Sequence, residues 1–386
     1  MRRNQAASLC AVVLLAFFAP LLGPRVSVAS AVSAVDSLII PQSGAAMANR
    51  TVRVELSPGL NRVTVEGVPG TVVPASTDLV PVNGQVRVVF KRAGEGRLEF
   101  GVISEEAATE DFHLSYSFTG LTWCPSYTVF LSASEDSAEF AGWYGISNKT
   151  TMTFAPAHVV LAAGPGYGLG GRPPHRVGAS LGESVRDLSP APEIPALSET
   201  FLPFVRVPSM PARTINVVER LGPYNPEPPA PKRDDRPVLV TLELTNQKGS
   251  GHWVPDPIPP GAVRVFARTK DGTTYFLGED TFSQSAALPA FLARLGRSPS
   301  LKAERMRTDQ KKIGTSSWEE AYQVRVTNLG AHDAEVVVVE ELPGEWTILQ
   351  STPAFWTKTP SGFAQFVATV PAGGRVDVLF RVRFTL

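Results

Sequence analysis

The chain has 386 residues, 43% of them hydrophobic and 19% charged, and its 36 basic and 36 acidic residues give a formal net charge of +0. That balance removes the electrostatic case for nucleic acid or an anionic membrane as a partner. Its two cysteines, Cys10 and Cys124, offer no disulfide framework once the N-terminal apolar run is set aside, so the core must hold the fold.

Arg2 and Arg3 precede an apolar run from Ala6 to Leu22, and a small-residue stretch, Val26 to Ala34, follows it. These are the three parts of a secretory signal peptide. Pro20, Gly23, Pro24 and Arg25 interrupt the run before it reaches the ~20 apolar residues that a membrane span needs. Residues 1–34 are therefore read as a leader cleaved between Ala29 and Ala34, against the alternative of a retained anchor. Cys10 lies inside the apolar run, not at its end, which argues against a lipoprotein. The mature chain is expected to be exported, periplasmic or extracellular, with no further span, and about 350 residues suffice for two or three domains.

Strand signals begin directly afterwards. Thr51–Leu56 and Arg62–Glu66 alternate apolar and polar residues around the turn Ser57–Gly59, and such alternation with Gly/Pro punctuation marks half-buried strands joined by hairpins. Gln85–Phe90, Arg97–Ile103, His113–Phe118, Tyr127–Leu131, Glu139–Ile146 and Met152–Ala163 continue the pattern, giving an N-terminal β domain over 35–165. In 166–197 the apolar period is lost among glycines and prolines, which predicts a long exposed loop. Thr200–Val218 is strand-like. A Pro-rich tract over 222–237 is read as extended, solvated chain. Val238–Leu244, Ala262–Ala267 and Thr273–Leu277 follow, the last two forming a hairpin across Lys270–Gly272, within a middle β region spanning 198–317. Ser285–Leu295 carries Leu288, Phe291, Leu292 and Leu295 at i, i+3, i+4 and i+7, a helical spacing with Pro289 inside it. The final unit, 318–386, holds strands at Tyr322–Thr327, Ala334–Leu342, Trp346–Leu349, Phe363–Val370 and Val376–Phe384. Five strands in so short a stretch predict two packed sheets, an immunoglobulin-like sandwich.

The chemistry-bearing motifs lack their context. Gly166–Gly171 fits a dinucleotide-binding glycine pattern, but Pro173 and Pro174 follow where a helix must open. Gly178–Gly182 fits a nucleophile-elbow pattern outside any α/β sheet. None of His113, His158, His175, His252 and His332 has a partner at metal-ligand spacing. The carboxylate pairs Glu105 and Glu106, Glu319 and Glu320, and Glu340 and Glu341 are strand neighbours that point to opposite faces. Trp123, Trp143, Tyr144, Trp253, Trp346 and Trp356 suggest a stacking platform for glycans or peptides, against the commoner reading of aromatics at strand positions as core. Trp253 and Trp356 have the most loop-like surroundings, and Cys124 reads as a small buried hydrophobe beside Trp123. No catalytic, cofactor-binding or metal-binding residue is assigned.

Several segments together resemble a bacterial exported family, the "domain of unknown function 4139" family. They are Val52–Pro69, Ser115–Tyr127, Gly142–Asn148, Ala157–Gly164, Phe276–Asp280, Ala303–Arg305, Tyr322–Asn328 and Glu340–Trp346. The resemblance covers most of the mature chain, although 164–197 is longer and richer in Gly and Pro than its pattern. It implies an extended strand, not a helix, around Phe291–Gly296. It also implies structural roles for Trp123, Tyr127, Asn148 and Asn328, with the asparagines placed where strands enter turns. It carries no catalytic residue.

The combined expectation is an all-β protein of two β-sandwich-like lobes of antiparallel strands with Gly/Pro-rich linkers. Its role is read as an envelope protein that binds a protein or surface polymer without catalysis. One alternative is an envelope-polymer hydrolase with a cross-strand carboxylate pair; another is an assembly factor offering an exposed strand edge.

Overall fold

The computed structural model describes residues 25–29, 35–84, 86–94, 96–163, 185–219, 233–246, 254, 258–282, 290–342, 344–359 and 362–385. Among them the only helical element is a 3-10 turn at Pro74–Ser76, and the rest of the regular structure is strand, as the alternating sequence demands. The first ten strands are β1 Arg25–Ala29, β2 Ser37–Pro41, β3 Ala46–Leu56, β4 Gly59–Glu66, β5 Asp78–Pro81, β6 Arg87–Gly94, β7 Arg97–Ser104, β8 Ala108–Phe118, β9 Leu121–Leu131 and β10 Ser137–Asn148. Next come β11 His158–Ala162, β12 Val185–Leu188, β13 Ser198–Glu219, β14 Arg233–Arg236, β15 Val238–Thr245, β16 Gly261–Arg268, β17 Thr274–Phe282 and β18 Ala290–Arg297. The chain ends with β19 Leu301–Lys312, β20 Ser317–Asn328, β21 Ala334–Glu340, β22 Glu345–Thr352, β23 Trp356–Lys358, β24 Ala364–Val370 and β25 Arg375–Thr385.

Two compact units result. The first takes the described residues up to Thr122 and those from Asn148 to Ser198; the second takes Trp123–Ser147 and the described residues from Glu199 onward. The hairpin of β9 and β10 thus leaves the 35–165 domain in which its sequence position places it and packs in the second unit.

In the first unit a six-stranded sheet, β12-β11-β2-β3-β8-β5, accompanies a four-stranded sheet, β1-β4-β7-β6. The alternation of β3 is regular, with Val52, Val54 and Leu56 inward and Thr51, Arg53 and Glu55 outward. Val63, Val65, Leu98, Phe100 and Val102 are the corresponding buried side chains of β4 and β7, each contributing roughly 1.5–3 kcal/mol where fully buried. Arg50 is the exception on the buried face of β3. Its Nη1 donates to the carbonyls of Glu66 (3.3 Å) and Gly67 (3.0 Å), tying β3 to the end of β4 in the other sheet. Burial raises the pKa of the neighbouring Tyr116 phenol, an effect the Arg50 charge partly offsets. Strand β1 lies within residues 1–34, at the outer edge of its sheet, so β4, β7 and β6 stay joined to one another without it.

The second unit contains two cores. Around the first, β17, β16, β9, β10, β13, β15 and β18 follow one another as neighbours. The ends of this series meet where Asp280 Oδ2 accepts the Arg294 backbone N–H at 2.7 Å and Gly278 lies against the Leu295 backbone. The seven strands form a barrel-like ring filled by Tyr127, Val129, Phe140, Met210, Leu242, Val263, Phe282 and Phe291, among others. Such a ring leaves few strand edges to water. Gly261 permits the close approach of β16 to β9, since a Cβ there would sit 2.4 Å from the Pro125 carbonyl oxygen.

The second core belongs to the C-terminal sandwich. One sheet is built from β21, β24 and β23 joined to the end of β13; the other is β14-β19-β20-β25-β22. Val324, Val326, Val336, Val338, Phe366, Val378, Phe380 and Val382 interleave between them. Asn328 locks one end: its Nδ2 donates to the His332 and Val370 carbonyls, and its Oδ1 accepts the Gly330 N–H. In the first unit Asn148 does the same with Met152, Pro195 and Thr150.

Several sequence expectations change. The strands are not uniformly antiparallel: β1–β4, β2–β11, β9–β16 and β13–β21 pair in parallel. Over Ala290–Arg297 the helical spacing of Ser285–Leu295 gives way to the extended strand that the resemblance implied, paired with β15; residues 283–289 lie outside the described residues. The long loop over 166–197 contains β12, which pairs with β11, and Ile194, fully buried and bridged to Phe154. Within the Pro-rich tract 222–237, Arg233–Arg236 forms a strand against β19. Cys124 is exposed, not buried, because period two turns it outward when Trp123 points in.

Candidate functional site

Among the described residues no sequence-derived motif becomes a site. Gly166–Gly171 and Gly178–Gly182 lie outside the described residues, as do His175, His252 and Trp253. His113, His158 and His332 are exposed; His158 Nε2 sits 3.3 Å from Asp187 at the surface. Among the described residues no three His, Cys, Asp or Glu side chains gather in a way that could hold a metal ion. No helix there is long and apolar enough to cross a membrane. Of the aromatics weighed as a platform, Trp123, Tyr144 and Trp346 are buried. Trp123 meets Tyr144 edge-on, and Trp346 packs on half-buried Trp356. Trp143 is half-buried.

Two constellations remain. The first is a buried ionic cluster in the C-terminal sandwich. The carboxylate neighbours divide as strand geometry requires: Glu320 and Glu340 turn inward, Glu319 and Glu341 outward. Arg305 Nε donates to both oxygens of Glu340, at 2.9 and 3.1 Å, and its guanidinium lies 3.7 Å from the centre of the Tyr322 ring. Glu320 accepts from Arg307 (2.9 Å), Gln310 (2.8 Å) and the Tyr322 hydroxyl. Burial pushes the Tyr322 phenol well above its usual pKa, with the Arg305 charge opposing. Burial acts to lower the pKa of Arg305, yet the charge and hydrogen bonds of Glu340 outweigh it and the net shift is upward. Glycoside hydrolysis needs one carboxylic acid and one carboxylate with access to substrate. Here both carboxylates are sealed inside the sandwich and engaged by arginines, an arrangement that stiffens the sandwich and gives no purchase for acid–base chemistry.

The second constellation lies on the outer wall of the barrel-like ring. The registers place Phe130 of β9 opposite Phe266 of β16, and Phe266 opposite Phe276 of β17. The rings are 5.3 Å apart and stacked in the first pair, 5.5 Å apart and edge-on in the second. Outward positions are usually polar, yet Phe276 is 58% exposed. A β-bulge between Val265 and Phe266 sets this register and leaves Leu277 as the extra residue. Charged pairs border the row. The Arg268 guanidinium lies 4.8 Å from the Phe130 ring centre and pairs with Glu139 at 3.4 Å, which also takes Arg206 at 2.8 Å. Arg264 pairs with Glu279 at 2.8 Å in the adjacent row. The arrangement presents one exposed ring, Phe276, backed by the half-buried Phe266 and Phe130 and set beside fixed donors and acceptors, the composition of a binding surface.

Sequence reasoning missed this row because its members are 136 and 10 residues apart in sequence, and the parallel pairing of β9 with β16 leaves no local trace. One signal was present: Phe130 and Phe266 each interrupt period two by standing at an outward position between inward apolar residues. No protein-family model and no curated protein matches the chain.

Proposed function

We propose that this chain is an exported, non-catalytic protein of the bacterial cell envelope that holds an envelope protein or polymer against the outer wall of its barrel-like ring. The outward-facing row of Phe130, Phe266 and Phe276, of which Phe276 is exposed and the other two are half-buried, carries this reading. It is a contiguous aromatic surface on a sheet face, and exposed apolar patches rimmed by polar groups mark interaction sites. The leader-like N-terminus and the resemblance to an exported family supply the compartment. The hydrolase alternative draws no support from Glu320 and Glu340, which are engaged by arginines.

A photo-crosslinking residue at position 276, with one at the exposed Lys312 as control, tests the reading in the native host. The expected result is covalent capture of one defined envelope component from 276 alone. Equal capture from both positions, or none from either, would count against a binding role for this wall. N-terminal sequencing of the mature chain should find its start among residues 30–35; a chain beginning at Met1 would remove the cleaved-leader assignment.

A further inference from the structure

We infer that the ligand of the aromatic row is a polysaccharide of low charge, a reading that rests on the binding role proposed above and narrows its ligand class. Three observations favour a sugar polymer over the other occupants. First, β16, the middle strand of the row, has both main-chain edges engaged, by β9 and by β17. A peptide adding as a strand would find no free donors or acceptors there. Second, charge is nearly balanced: Arg206, Arg264 and Arg268 against Glu139 and Glu279 leave a surplus of one positive charge. Binding nucleic acid by phosphate neutralisation needs several uncompensated cations, and a strongly anionic polymer would find too few. Third, the chemistry matches in kind. Pyranose rings present C–H faces that stack on aromatic rings, for which the exposed Phe276 is the ring on offer, and their hydroxyls both donate and accept. The Arg264–Glu279 and Arg268–Glu139 pairs provide, side by side, donors and acceptors held in place by their own bonds.

The test is co-sedimentation of the full chain with envelope polysaccharide purified from the host and stripped of protein by protease, beside untreated envelope. Wild type should sediment with the stripped polysaccharide, soluble oligosaccharides released from it should compete, and Phe276→Ala should bind about tenfold more weakly. Phe276→Trp should restore binding, and an unchanged urea midpoint in F276A shows that the loss is not unfolding. Suppose wild type ignores stripped polysaccharide but is retained by untreated envelope, and F276A is released. The ligand is then a protein: the polysaccharide inference falls while the binding role stands. If F276A behaves as wild type on both materials, the row binds nothing and both readings fall.

Discussion

Replacing Arg305 by methionine isolates the value of the buried ionic cluster. In the native sandwich the side chains of Arg305 and Glu340 are 11% and 1% exposed, so solvent screens the pair little. The substitution keeps most of the aliphatic volume, removes both hydrogen bonds to Glu340, and takes the cation from the Tyr322 ring. A buried carboxylate left without its partner costs about 3–5 kcal/mol, and loss of a desolvated cation–π contact adds about 1–2 kcal/mol. R305M should therefore lose about 4–7 kcal/mol, a large part of the roughly 5–15 kcal/mol typical of a domain. Urea unfolding of the full chain, followed by tryptophan fluorescence, reads the loss as a lower midpoint of the C-terminal transition at unchanged slope. The companion Arg305→Met/Glu340→Leu removes both charges and should recover at least half of the loss, because the cost lies in the orphaned carboxylate and not in the absent bond. A loss under about 1 kcal/mol for the single variant, or a double variant as unstable as the sum of its parts, would refute this account.

Asn328→Ala removes two donors and one acceptor from the turn that closes the sandwich. It should cost about 1–3 kcal/mol, and Asn328→Asp, which keeps the acceptor for Gly330 but sets a buried carboxylate oxygen against the His332 and Val370 carbonyls, should cost at least as much; thermal melts of the two variants decide it. Gly261→Ala places a methyl against the Pro125 carbonyl where β16 meets β9. It should cost about 1–3 kcal/mol, and hydrogen exchange at β9 and β16 should rise before that of the C-terminal sandwich. The hydrogen bonds and charge of Arg325 hold the Asp377 carboxyl below its usual 3.8. Its folded pKa is thus lower than its unfolded one, so its contribution is complete above about pH 4 and is lost as pH falls through the folded value. Stability measured between pH 5 and pH 2 should fall less steeply in Asp377→Asn, and identical slopes would show that the pair adds nothing to acid sensitivity.

The strands were legible in this sequence because their period is short and local: β3, β8 and β20 alternate residue by residue as written. The helical spacing in Ser285–Leu295 misled for a physical reason. Phe291 and Ala293 face the ring core while Leu292 is exposed, so an outward leucine imitates a helical stripe. Strands β12 and β14 carry no strand pattern of their own; Val185–Leu188 and Arg233–Arg236 are extended because β11 and β19 offer them partners. The barrel-like ring and its aromatic row were out of reach for a deeper reason. Both depend on β16 lying parallel to β9 across more than a hundred residues of chain, and periodicity records which face of a strand is apolar but not which strand lies beside it. The buried cluster was half legible: the division of Glu319 from Glu320 follows from strand geometry alone, whereas the arginines that meet the inward carboxylates come from β19.

The 22-residue strand β13 belongs to both cores of the second unit. Val207 and Met210 face the ring, Val218 faces the sandwich, and the strand hydrogen-bonds to β15 and, at its end, to β21. A pull applied to the ring therefore reaches the sandwich through continuous covalent backbone, without a linker to absorb it. The parallel ladder of β13 with β21 would bear such a pull along the strands, so that its hydrogen bonds yield together and not one after another. The two parts of the second unit would therefore resist tension as one.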